Sequence, residues 1–138
     1  MSSLDTLIKL HRWQLDEQRR KVAEFESLAA KLRGELQRLD EEEVSEQQVA
    51  EDSHEANYAY SGYARGLIDR RNKLMKSVEE TEQQIVQARA ELADAFAEVK
   101  RYEIAAANRL LAKHRGLERL RQQELDEVAV DGFRRKTK

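Results

Sequence analysis

The sequence predicts an all-α protein, two long helices folded as an antiparallel coiled-coil hairpin whose second helix is longer and ends in a C-terminal overhang. Three observations predict it. Proline is absent from all 138 residues, so no position removes a backbone donor or kinks a helix. Charged residues make up 38 % of the chain and aromatics only 6 %, which suits a solvated helix surface better than a globular core. Apolar residues recur in steps of four and three, the 3.5-residue repeat that keeps one stripe turned toward one partner helix.

The first stripe runs Leu4, Ile8, His11, Leu15, Gln18, Val22, Phe25, Ala29, Leu32, Leu36 and Leu39. Its polar members, His11 and Gln18, weaken the seam and help to fix its register. A first helix is expected over about residues 3–56. Between Asp40 and Asn57 the pattern fails, with eight acidic residues and no Lys or Arg. The next stretch holds Tyr58, Tyr60, Tyr63, Gly62 and Gly66, and this cluster of glycines marks the expected reversal at about residues 57–62.

A second stripe follows, from Tyr60 through Ala64, Leu67, Arg71, Leu74, Val78, Thr81, Ile85, Ala88, Leu92, Ala95, Val99 and Tyr102 to Ala106. It predicts a second helix over about residues 63–131, followed by a basic tail at 132–138. The whole chain, 1–138, reads as a single hairpin. With the turn near residue 60, Phe25 is expected to face Ala95 and Leu15 to face Ile104, and the overhang to begin close to Gly116. Beyond Ala106 the seam thins to Leu110, Leu117, Leu120, Leu125 and Val128.

Charge is unevenly placed along this hairpin. Residues 39–57 carry eight acidic and no basic groups, whereas 109–138 carry nine basic and five acidic, so an acidic tip and a basic open end are expected. Two different partners, one at each end, fit that distribution.

Several classes of function are excluded or disfavoured. With no cysteine there is neither a disulfide framework nor a thiolate zinc site. No run of 18 apolar residues and no basic-then-apolar N-terminus is present, so a membrane span and a secretory signal are not expected. A two-helix hairpin has no pocket that shuts out water, and no phosphate-binding loop is encoded, so the chain is not expected to be an enzyme or to hold a cofactor. His11 and His114 approach one another at the open end but lack a third ligand, and no metal site is assigned. The basic tail at Phe133, Arg134 and Arg135 has no aromatic platform beside it, and the pI is about 6, so nucleic acid is not an expected partner.

Two groups of residues are candidates for contact. Trp13 lies off the stripe with Leu10 one turn before it, either as a partner contact or as an indole lying over Leu10. Tyr58 and Tyr63 pose the same question at the tip, where one closes the end of the seam or is left free to bind.

The opening stretch Leu4–Leu10 and the ending Glu124–Arg135, with Asp126, Glu127, Ala129, Phe133, Arg134 and Arg135, resemble the FliJ family of the flagellar type III export apparatus. The resemblance covers the whole chain in architecture and is specific in these short stretches. It implies a non-enzymatic stalk, cytoplasmic and peripherally associated with the inner face of the inner membrane at the flagellar base. Its implied partners are an export ATPase hexamer, an export-gate membrane protein and the export chaperones that it escorts. The ring contact would then fall on Leu10, Trp13, Leu117, Leu120, Phe133, Arg134 and Arg135, and the gate contact on Tyr58, Tyr63 and Leu67. The alternatives are the corresponding stalk of a virulence secretion system, and a generic coiled-coil scaffold in which the stripes pair between chains.

Overall fold

The structure is a computed structural model that describes the backbone of residues 3–52 and 54–136 and the side chains of 3–52 and 59–136. It contains two helices, α1 (Ser3–Glu51) and α2 (His54–Lys136), which pack against each other as a helical hairpin. The expected fold class is therefore the one observed. Contacts divide the chain into two compact units, one comprising Gln14–Ala95 and the other Met1–Trp13 with Phe96–Lys138.

In the unit Gln14–Ala95, the two stripes form the seam. Leu15, Val22, Ala29 and Leu39 of α1 are buried, as are Leu67, Ile85 and Ala88 of α2. Thr81 is the one buried polar residue among them, and its Oγ1 donates to the Ser77 carbonyl at 2.7 Å, so its hydroxyl is satisfied within its own helix. The remaining stripe residues are half-buried, as expected for a seam only two helices thick. Ala29 and Ala88, at 0 % and 1 % exposure, are the most deeply buried residues of the seam, with Ile85 beside Ala29.

Ion pairs along the flanks show that the helices run antiparallel. Lys21 bonds Glu91 at 3.2 Å, Arg89 bonds Glu26 at 2.7 Å, Arg33 pairs with Glu82, and Arg71 reaches Asp40 at 3.4 Å. Each pair is well exposed, so its worth in stability is only about 0–1 kcal/mol. Their collective effect is on alignment, because a slide along the seam breaks all of them together.

The reversal differs from the sequence expectation. Helix α1 ends at Glu51 and α2 begins at His54, ahead of the expected turn at 57–62. Gly62 and Gly66 lie inside α2, neither has a positive φ, and a Cβ added to either meets nothing within 4 Å. The turn lies within the acidic run instead, where the Asp52 amide donates to the Val49 carbonyl at 3.2 Å and tightens the last turn of α1. A sequence signal for this position exists: Asp52 and Ser53 are preferred helix-starting residues, and Glu55 follows three positions after Asp52.

The earlier turn shifts the register. Phe25 lies at the level of Arg89, since the neighbouring Glu26 pairs with it, and therefore does not face Ala95. Ile104, expected opposite Leu15, is 59 % exposed and is not a seam residue.

In the unit formed by Met1–Trp13 and Phe96–Lys138, Ile8 and Val99 are buried. The His11 and Tyr102 rings stack with centroids 4.7 Å apart, and Arg12 bonds Glu103 at 3.1 Å. The chain expected as a separate basic tail at 132–138 is helical through Lys136.

Ala29→Asp places a carboxylate where no water reaches and should lower stability by about 2–4 kcal/mol, read as a fall in the urea midpoint. Gly62→Ala should raise stability by up to about 1 kcal/mol, since Gly62 is helical and unobstructed. A destabilised Gly62→Ala variant would return the turn to residues 57–62.

Candidate partner-binding end

Beyond Ala106, no side chain of α2 among the described residues is buried. From Ala107 to Lys136 every residue is exposed except Gly116, which is half-buried. The overhang thus begins about nine residues before Gly116, of which the shifted register accounts for about five. Leu110, Leu117, Leu120, Leu125 and Val128 are between 55 % and 70 % exposed. Such a row of large aliphatic side chains on a bare helix is the signature of a surface that meets another protein.

Most of the residues expected at the ring contact lie here. Leu117 and Leu120 are exposed, Phe133 is 69 % exposed, and Arg134 and Arg135 occupy the last turn of α2. The cationic last turn also complements the negative end of the helix dipole. On α1, in the same unit, Trp13 is 61 % and Leu10 49 % exposed. The indole therefore stands out in solvent rather than in the seam. Ile8, one turn behind it on the opposite face, is buried.

Electrostatics at this end are organised around Glu103. It accepts from Arg12 Nε at 3.3 Å and Nη2 at 3.1 Å, and from Lys100 Nζ at 3.3 Å. These hydrogen bonds, Arg12 first, hold its carboxyl below the ordinary glutamate value. Lys100 also lies over the Phe96 ring, 5.4 Å from its centroid. Asp5, Ile8, Lys9, Arg12, Glu103 and Ala106 line a shallow groove, too open to exclude water from a reaction. Among the described residues there is no group of three or more His, Asp or Glu side chains placed to hold a metal ion, and His11 is engaged by Tyr102.

The tip candidates fare differently. Tyr58 lies outside the residues whose side chains are described. Leu67 is 3 % exposed and belongs to the seam, so it cannot serve as a surface contact while the helices remain packed. Tyr63 donates its hydroxyl to Glu42 Oε1 at 2.5 Å, which pushes its pKa up to about 12. That bond ties α2 to the acidic run of α1, and with Arg71 on Asp40 it gives two of the run's carboxylates a partner on the other helix. No pattern in the sequence of the run singled out these two members.

A two-helix hairpin whose second helix carries an exposed, basic and aliphatic stretch defines an all-α helical-hairpin class. The chain matches the family described as "Flagellar FliJ protein" over residues 1–138 and belongs to it. It is 26 % identical over 127 residues to the flagellar FliJ protein of two strains of Caulobacter vibrioides, covering 91 % of this chain and 90 % of theirs. No solved structure matches it. Among the described residues no helix is long and apolar enough to cross a membrane.

Arg12→Ala should raise the pKa of Glu103 toward the ordinary glutamate value, measured by NMR titration of its side-chain carboxyl. Because the folded-state value is depressed, the stability this contact adds is present above the ordinary glutamate pKa and is lost as pH falls through the depressed one. Trp13→Ala should leave the melting temperature within a few degrees of the parent, since the indole covers no seam residue; a large fall would place it in the packing.

Proposed function

We propose that this flagellar export component is a non-enzymatic stalk whose open end docks into the ring of the export ATPase. The observation that carries the reading is the overhang of α2, exposed on all sides from Ala107 to Lys136 apart from Gly116, with Leu117, Leu120 and Phe133 beside Arg134 and Arg135. Leu10 and Trp13 supply a second exposed apolar patch in the same unit. An asymmetric pair of helices meets the subunits of a ring unequally, and a ligand shifts a conformational equilibrium only through such differential contact. Stimulation of hydrolysis follows from that physics without any reacting group on the stalk.

In the same reading the tip, with Tyr58 and Tyr63, faces the export-gate membrane protein, and the chain escorts export chaperones. Its place is then cytoplasmic, held peripherally at the membrane by the gate rather than by a span of its own. Membership of a flagellar family favours the flagellar system over its virulence counterpart.

Replacing Leu117 and Leu120 together with Glu should weaken binding to the export ATPase at least tenfold and remove any stimulation of hydrolysis. Circular dichroism should show the helices retained, because neither residue is in the seam. Undiminished binding would overturn the assignment of the open end.

A further inference from the structure

The overhang of α2 has a self-complementary pattern that the stalk reading does not use. Basic and acidic residues fall in separate blocks: residues 109–121 carry five basic groups and one acidic, and residues 122–131 carry four acidic and none basic. The seam face of α2 continues through Leu110, His114, Leu117, Arg121, Glu124 and Val128 in steps of four and three. All of these side chains are exposed, and no part of the described chain covers them.

We propose that this overhang is a docking surface for a second copy of the chain, paired antiparallel about a two-fold axis near residues 119–120. Antiparallel coiled coils place each stripe position against its complement on the partner, and the flanking positions on either side meet their own kind. One register pairs the stretch, with Glu118 meeting Glu118 of the second copy as its one like-charge contact. It sets Leu117 against the aliphatic stem of Arg121, His114 against Glu124, and Leu111 against Leu125 along one flank. Along the other flank, Leu120 meets Leu120 of the second copy and Lys113 meets Glu127.

The charge blocks decide the direction. Antiparallel pairing lays the basic block of one copy on the acidic block of the other at both ends of the interface. Parallel pairing in register would lay Arg121 on Arg121 and Glu124 on Glu124 in the seam itself, and like charges in facing positions repel. The closest part of the pairing spans about residues 111–127, short enough that the dimer should be weak and reversible, forming at high micromolar concentration. It would cover Leu117 and Leu120, so self-association and docking of another protein at this end exclude each other. The inference stands without the ATPase reading and is tested on the chain alone.

The full chain has no cysteine, so single cysteines report the pairing cleanly. Lys113→Cys and Glu127→Cys proteins, mixed at several hundred micromolar in a glutathione redox buffer, should form the mixed disulfide in large excess over either homodisulfide. Ala112→Cys, on the outward face, should form little. Sedimentation equilibrium of the parent should show a monomer–dimer equilibrium. Lys113→Glu should weaken it at least fivefold, and Lys113→Glu combined with Glu127→Lys should restore it. A monomer at millimolar concentration, homodisulfides equal to the mixed species, or a charge swap without rescue would each overturn the proposal. These outcomes do not involve the ATPase, so they leave the test of that reading separate.

Discussion

The alignment of α1 against α2 is the constraint on which the rest of the molecule depends. A two-helix seam with a 3.5-residue repeat packs almost equally well after a slide of one heptad, since aliphatic side chains meet aliphatic side chains either way. What selects one alignment is the place where the chain reverses, together with charge pairs spread along the flanks. None of those pairs adds much by itself. Acting on one rigid element, they penalise every shifted alignment at once.

That alignment also determines how much of α2 remains bare. Arg12 meets Glu103, five residues before the position expected from a turn near residue 60. This displacement accounts for about five of the nine residues by which the overhang starts before Gly116, at Ala107. The earlier turn therefore leaves a longer bare surface on α2, which includes Leu110 and Leu111. The division of labour along the chain follows: the stripe is consumed by intramolecular packing where α1 runs beside it and is open to other chains where α1 has ended.

The residues proposed for function separate according to the same rule. Leu117, Leu120, Phe133 and Trp13 are exposed because they lie past the end of α1 or on the face turned away from the seam. Leu67 fails as a surface contact because it occupies a stripe position that α1 covers. Tyr63 shows a third case, in which a side chain at the edge of the seam spends its hydroxyl on Glu42. Function at this kind of surface needs no preorganised reacting groups, only an apolar strip with flanking charge that a partner can match.

Composition and period alone determined the helices, the two stripes, the hairpin class and the outward position of Trp13, because helical propensity and a 3.5-residue repeat are local properties written residue by residue. The sequence also carried the turn, in Asp52, Ser53 and Glu55, but as a weaker signal than the glycines at 62 and 66. Glycine is permissive rather than obligatory for a turn, and a helix held by a packed seam absorbs it. Only the tertiary structure decided which residues face each other, which acidic side chains gain a partner, and where the overhang begins. Those depend on distances between groups as many as 91 positions apart in sequence, as in Arg12 and Glu103, and local preference cannot encode them.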